Sequence, residues 1–109
     1  MSYGKIRNAA GASVKADLKG VTAAAASAVV PDDFRVSITN APGKDAYPIS
    51  SFTWLLVPAK IQDDRKRKIL TDFLRWMLAD GQKLAEPLGY APLPKAVVAK
   101  ELKAISLVQ

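Results

Sequence analysis

The chain contains neither cysteine nor histidine among its 109 residues. Without cysteine it can form neither a disulfide framework nor a thiolate metal site. Without histidine it lacks the usual general base and the commonest metal ligand. These two absences argue against a self-contained hydrolase or a zinc enzyme. We therefore expect a protein that is not an enzyme, with no metal site and no cofactor.

Long hydrophobic runs are absent as well. No segment approaches the roughly 18 consecutive apolar residues of a membrane span, and residues 1–11 lack the hydrophobic core of a signal peptide. Half of the chain is hydrophobic and 24% is charged, which is typical of one small globular unit with a core of its own. The start at Met1-Ser2 is interpreted as the start of a fragment.

The formal net charge is +6, and the positive residues are spread along the chain. The one run is Arg65-Lys66-Arg67-Lys68, which is open to two interpretations. It could contact the phosphates of a nucleic acid, or it could be the exposed first turns of a helix. Because no aromatic residue is interleaved with it, the second interpretation is favoured and no nucleic-acid partner is expected. The carboxylates Asp72 and Asp80 are expected to be isolated.

Local signals predict four helical segments and two strands, and residues 3–7 could finish a further strand before a turn at Asn8 and Gly11. Asp17 is a candidate N-cap for a helix over residues 17–28, where Gly20 is a weak point in an alanine-rich sequence. A second helix follows Asp63 or Asp64, and Gly81 marks a kink or a tight contact in it. Pro87 and Gly89 end the next helical piece, and Pro94 opens a last helix. Residues 36–39 and 49–57 are the predicted strands.

The second predicted strand and the second helix supply the predicted core. The strand contains the unbroken apolar run Trp54-Leu55-Leu56-Val57 between Pro48 and Pro58, which is typical of a strand covered on both faces. Trp54, Trp76 and Phe73 are accordingly expected in the core. One face of the second helix is predicted to pack on the sheet; its residues are Ile69, Leu70, Phe73, Trp76 and Met77.

Several motifs occur in an order that resembles the C-terminal part of the periplasmic phosphate-binding proteins, which serve high-affinity phosphate ABC transporters. The first is Tyr47-Pro48-Ile49 followed by two serines. A helix with Phe73-Leu74 and Trp76 comes next. The remaining motifs are Gly81-Gln82, Leu88-Gly89-Tyr90 and Pro92-Leu93-Pro94. The similarity extends upstream to the first residues and covers nearly the whole chain.

The resemblance implies a fragment of a two-lobe α/β fold, the type II periplasmic-binding-protein fold, with short strands and amphipathic helices packed on them. Residues 1–44 would be the tail of the second lobe, and residues 45–109 the returning C-terminal portion of the first. The hinge or cross-over between the lobes is then expected at Lys44, Asp45, Ala46 and Tyr47. In this family the anion is held by segments that precede the matched region, so no phosphate-binding residue is expected within this stretch.

The function implied by the resemblance is that of an extracytoplasmic, periplasmic receptor for an ABC importer, of which this chain is mainly scaffold. A truncated piece and a short relative that has lost the site are both possible, and the fragment interpretation is preferred. Inorganic phosphate and the membrane permease would be partners of the full-length parent. The fragment itself would pair with the remainder of its parent or form a homo-oligomer. The alternatives are a self-associating interaction module and a basic nucleic-acid-binding domain.

Overall fold

The structure is a computed structural model that describes residues 2–109. A two-residue hairpin opens the chain, in which Ile6 of the first strand lies opposite Val14 of the second. Helices make up most of the remaining regular structure, and residues 28–63 contain neither helix nor strand. The elements in chain order are β1 (Ile6–Arg7), β2 (Ser13–Val14), α1 (Leu18–Ser27), α2 (Asp64–Leu78), the 3₁₀ helices η1 (Asp80–Leu84) and η2 (Glu86–Leu88), and α3 (Lys95–Ile105).

The helix starts follow the predicted caps. The carboxylate of Asp17 accepts a hydrogen bond from the amide of Gly20 at 2.7 Å, and α1 begins at the next residue. Asp63 caps α2 in the same way through the amides of Arg65 and Lys66. Each carboxylate satisfies backbone donors that the first helical turn leaves without a partner. The mixed content of helices and short strands confirms the α/β class at that level.

The predicted breaks after α2 are confirmed. The α-helix ends at Leu78, and the chain continues as η1, in which Gly81 lies against the last turn of α2. A Cβ atom on Gly81 would lie 3.3 Å from the carbonyl oxygen of Trp76. A side chain at this position would crowd that oxygen, so the change of direction favours glycine. Gly89 then ends η2 with a φ of 79°, a left-handed conformation that favours glycine.

Both strand predictions are wrong. Residues 36–39 and 49–57 have no ladder partner within residues 2–109. The run predicted to be covered on both faces is open to solvent: Trp54 is 50% exposed and Leu56 is 97% exposed. A β-strand requires a neighbouring strand with which its backbone forms hydrogen bonds. The only sheet among the described residues is the β1–β2 hairpin. High β propensity alone therefore does not produce a strand here.

The predicted packing face of α2 is wrong for three of its five residues, whereas Leu70 and Met77 are half-buried. Ile69, Phe73 and Trp76 are 60%, 52% and 47% exposed, whereas Leu74 and Leu78 are buried. The helix packs mainly on α3 and η1, not on a sheet. Packing on α3 rotates the buried stripe by about one residue, and the predicted aromatic core residues are left on the outside.

A small, alanine-rich core lies beneath α1. Its buried members are Ala24, Ala25, Ile38, Ala41 and Ala46, with Ala28 and Phe52 packed against them. Ile38 is the one large side chain that is fully buried in the described part of the chain. The core therefore joins α1 to residues 38–52 and contains few large apolar groups.

Candidate functional site: the pinned cross-over and the apolar cleft

The four predicted cross-over residues lie beside the N-terminal hairpin. Lys44 and Asp45 are exposed in a turn, whereas Ala46 is fully buried and Tyr47 is half-buried. The side-chain amide of Asn8 donates to the carbonyl oxygens of Lys44 at 2.8 Å and Ala46 at 3.0 Å. A longer contact of 3.3 Å reaches the carbonyl oxygen of Gly43. One side chain thus binds the backbone at residues 43, 44 and 46.

The turn between β1 and β2 holds the Asn8 side chain in place. The amide of Ala12 donates to the Asn8 side-chain oxygen at 3.0 Å, and the backbones of these two residues are joined by a further bond of 2.9 Å. Gly11, with a φ of 82°, closes the turn. Asn8 is only 5% exposed, so both ends of its amide are engaged where water cannot replace the partners.

Helix α1 contacts the same segment from another side. The amide of Tyr47 donates to the carbonyl oxygen of Gly20 at 2.9 Å, and a Cβ atom on Gly20 would lie 3.0 Å from the Cβ of Tyr47. Near the other end of the helix, a Cβ on Gly43 would lie 2.8 Å from the Cβ of Ser27. Both glycines allow a close approach that a side chain would prevent. The feature formed by Asn8, Gly20 and Gly43 around residues 43–47 is named the cross-over clamp.

The structure therefore brings Lys44, Asp45, Ala46 and Tyr47 together with the hairpin and α1. Their role as a hinge or cross-over between lobes stays a prediction. Sequence reasoning interpreted Asn8 only as part of a turn, and interpreted Gly20 as a weak point of α1. The signal that was available is the Asn-Ala-Ala-Gly turn itself, but its long-range partners are 35 residues or more away in the sequence.

A second feature is an open cleft of about 610 Å³ between α1, residues 51–55 and the C-terminal half. Its walls are mainly apolar and include Val21, Phe34, Phe52, Leu78 and Val97. Within residues 2–109, no Lys or Arg side chain lines it. Such a lining suits apolar groups far better than an oxyanion.

Glu101 of α3 is the one charged group in the cleft wall among the described residues. Its side chain forms no salt bridge within residues 2–109, and burial raises the pKa of its carboxyl group. Desolvation disfavours the ionised form of a carboxyl group. Sequence reasoning missed this residue because nothing in its local pattern separates it from an ordinary surface glutamate.

The basic run is largely exposed and partly neutralised. Arg67 pairs with Asp64 at 2.6 Å, and Lys68 pairs with Asp72 at 2.5 Å. The expectation that Asp72 is isolated is wrong, as is the one for Asp80, which pairs with Lys83 at 2.6 Å. In each case the two residues are three or four positions apart, so that they share one helical face.

The hydroxyl groups of Ser50 and Ser51 form hydrogen bonds with the backbone of this chain. The Ser50 hydroxyl donates to the carbonyl oxygen of Tyr47 at 2.7 Å, and the Ser51 hydroxyl donates to that of Phe52 at 3.2 Å. No group of three or more His, Cys, Asp or Glu side chains that could hold a metal occurs in residues 2–109. Over the same residues, no helix combines the length and apolar character needed to cross a membrane.

No family model matches the chain, but curated relatives do. The chain is 40% identical over 106 residues to a relative from Xylella fastidiosa strain Temecula1, a match that covers 95% of the chain and 29% of that protein. A match of 42% identity over 76 residues to a Methanocaldococcus jannaschii protein covers 64% of the chain and 19% of the relative. A Pasteurella multocida protein is 28% identical over 102 residues, which cover 92% of the chain and 30% of the relative.

These relatives are phosphate-binding proteins, and the chain is homologous to that class over nearly its whole length. Each of the three is named phosphate-binding protein PstS. The matched region is the C-terminal part of the relatives, and the chain spans less than a third of their length. The resemblance seen in the sequence motifs is thereby confirmed.

Proposed function

We propose that the chain forms the C-terminal part of an extracytoplasmic phosphate receptor for an ABC importer, and that it supplies scaffold and not the atoms that hold the anion. The observation that carries this proposal is the 40% identity to a phosphate-binding protein over 95% of the chain. Identity at this level over an aligned region of this length supports a shared fold in that region. The substrate, phosphate, is proposed from the name of these relatives, phosphate-binding protein.

The chemistry of the cleft supports the scaffold role. A phosphate group is held by cationic side chains, hydroxyl groups and backbone amides. The cleft offers no cation within residues 2–109, and its one carboxylate, Glu101, would repel an anion. The Ser50 and Ser51 hydroxyl groups donate to nearby carbonyl oxygens. The anion-binding groups would therefore belong to the part of the receptor that this chain does not span, and the parent would be a binding protein without catalytic activity.

The same proposal extends to the two-lobe organisation. Residues 1–44 would complete the second lobe of a type II fold, and residues 45–109 would return to the first. The cross-over at Lys44–Tyr47 would be fixed to the second lobe by the clamp, because Asn8, Gly20 and Gly43 all precede it. A hinge motion would then fall on the C-terminal side of Tyr47.

A chimeric receptor tests the proposal. The matched C-terminal region of the Xylella fastidiosa PstS protein is replaced by this chain, and inorganic phosphate is titrated by calorimetry. We expect phosphate binding within about tenfold of the unmodified protein, because a scaffold replacement leaves the liganding atoms unchanged. A well-folded chimera that does not bind phosphate would contradict the proposed function.

A further inference from the structure

Two polar contacts beside the apolar cleft join α1 and the turn after it to the C-terminal third of the chain. The Thr22 hydroxyl group donates to the carbonyl oxygen of Pro92 at 3.1 Å. The Lys100 ammonium group donates to the carbonyl oxygen of Val30 at 2.5 Å and pairs with the Asp32 carboxylate at 2.9 Å. Each contact joins residues 70 positions apart in the sequence. We name these two contacts the cleft contacts.

The Lys100 side chain is held by two acceptors of one turn. It is only 30% exposed, and the turn is closed by the amide of Phe34, which donates to the carbonyl oxygen of Pro31 at 3.1 Å. The hydrogen bond from Lys100 holds the pKa of the Asp32 carboxyl group below its ordinary value of 3.8. Because Asp32 is fully exposed, the ion pair is weak. The bond from the charged donor to the carbonyl group of Val30 therefore supplies most of this contact.

Pro92, the acceptor of the other contact, lies in a segment that is fixed to the end of α2. The amide of Leu93 donates to the Gln82 side-chain oxygen at 2.8 Å, and the Gln82 side-chain nitrogen donates to the carbonyl oxygen of Met77 at 3.3 Å. Thr22 thus binds a carbonyl group that is anchored to the C-terminal helices. A movement of α1 away from these helices would break the bond.

Under the proposed function, on which this inference rests, each cleft contact joins the two lobes. Thr22, Val30 and Asp32 precede the cross-over and would belong to the second lobe. Pro92 and Lys100 follow it and would belong to the first lobe. We propose that the cleft contacts form a latch that holds the two lobes together in the phosphate-bound receptor and slows release of the anion.

The hinge position explains why both contacts act on release. The cross-over clamp keeps α1 with residues 43–47, so a rotation beyond Tyr47 carries α1 away from the C-terminal helices. The arrangement with both cleft contacts formed would then be the closed one. Contacts that exist in the closed state and are lost on opening slow the dissociation of a bound ligand.

Phosphate release from the chimera described above tests the latch. Lys100→Met removes the ammonium group and keeps an unbranched side chain, so the bonds to Val30 and Asp32 are both lost. We expect release about 3- to 10-fold faster than from the unsubstituted chimera, with the association rate unchanged within about twofold. A rapid chase of bound radiolabelled phosphate with unlabelled phosphate measures the release.

Lys103→Met is the matched control for the lost charge. Lys103 is exposed on the same helix, and its influence on Asp32 is weaker than that of Lys100. We expect this variant to release phosphate within about twofold of the unsubstituted chimera. Equal release rates of the Lys100→Met and Lys103→Met chimeras would overturn the latch.

Two substitutions at Thr22 test the other cleft contact. Thr22→Val removes the hydroxyl group at nearly constant volume, whereas Thr22→Ser keeps the donor. We expect Thr22→Val to speed release about 2- to 5-fold and Thr22→Ser to leave it nearly unchanged. Equal rates for the valine and serine variants would overturn the part assigned to Thr22.

A distance measurement on the 109-residue chain judges the contacts without phosphate. Because the chain has no cysteine, nitroxide labels attach only at introduced ones, Val29→Cys and Leu107→Cys, at residues 90% and 70% exposed. By double electron–electron resonance, we expect Lys100→Met to add a population with a longer label separation. Lys103→Met should keep the distribution of the parent chain.

The two readouts keep this inference separate from the proposed function. A chimera that binds phosphate, with label distances and release unchanged by Lys100→Met, would support the receptor assignment and overturn the latch. A chimera that does not bind phosphate, with the longer population in the Lys100→Met chain, would contradict the receptor assignment and support the contact between the two parts.

Discussion

Asn8 connects parts of the chain that are more than 30 residues apart in the sequence. Its amide group donates to the carbonyl groups of Gly43, Lys44 and Ala46, and its side-chain oxygen accepts from the amide of Ala12. The carbonyl groups of Lys44 and Ala46 would have no other donor from the described residues. The core is mostly alanine and offers few large side chains that would select one packing arrangement. The buried amide of Asn8, with several hydrogen-bond partners, therefore contributes strongly to selecting it.

Asn8→Ala is therefore expected to destabilise the chain strongly. The substitution leaves the carbonyl groups of Lys44 and Ala46 and the amide of Ala12 without these partners, which costs about 2 kcal/mol in the free energy of unfolding. Urea denaturation followed by circular dichroism measures this loss. Ser13→Ala, at an exposed hairpin residue, is the control and should change the stability by less than about 0.5 kcal/mol. Equal stabilities of the two variants would contradict the role of Asn8.

Glu101 provides a prediction with a defined pH dependence. Burial raises the pKa of its carboxyl group above the ordinary value of 4.5, so the folded state holds the proton more tightly than the unfolded state does. Its contribution to stability is present below pH 4.5 and is lost as the pH rises through the folded-state pKa. We expect Glu101→Gln to melt at a higher temperature than the parent chain at neutral pH.

The difference between the two melting temperatures should shrink toward acidic pH, where the parent carboxyl group is also neutral. Thermal melts of both chains over a pH series measure it, and taking the difference removes the contributions of other titrating groups. A difference that is independent of pH would show that burial of the charge is not the cause.

At the scale of elements, the caps and breaks were predictable because they are local. Asp17 and Asp63 lie within three residues of the amides they cap, and Gly89 adopts a conformation that its own residue type favours. The packing face of α2 was not predictable in the same way. Its sequence offers two overlapping apolar stripes, one through Phe73 and one through Leu74, and only the partner helix selects between them.

The strands were mispredicted for a related reason. Residues 49–57 have the composition of a covered strand, but a ladder needs a second chain segment, and none of the described residues provides one. The cross-over clamp could not be predicted from local patterns because its contacts join residues far apart in the sequence. Local patterns specify where elements begin and end, whereas long-range partners specify which surfaces are buried.

The close packing of α1 on residues 43–47 leads to a prediction at this scale. A Cβ on Gly43 would lie 2.8 Å from the Cβ of Ser27, a distance at which either the helix or the segment around Gly43 must move. Gly43→Ala is expected to lower the free energy of unfolding by about 1–2 kcal/mol. Gly4→Ala is the matched control because nothing lies within 4 Å of the added atom. Urea denaturation of the two variants measures the difference in stability. Equal stabilities would mean that α1 and the segment around Gly43 do not pack as described.

At the scale of the whole molecule, the chain is more extended than an independent domain. Its radius of gyration is 15.9 Å, and about 13 Å is expected for a chain of this length. Its longest dimension is 49 Å and its shortest is 20 Å. A molecule with this shape, an alanine-rich core and exposed Trp54, Phe73 and Trp76 has the properties of one part of a larger protein.

Calorimetric titration of the 109-residue chain with inorganic phosphate is the most direct measurement of whether the anion-binding atoms lie elsewhere. We expect no binding heat at micromolar to low millimolar phosphate, because the cleft has an apolar lining and a carboxylate where an anion site would need donors. Saturable binding at micromolar concentration by a single copy of the chain would contradict this account.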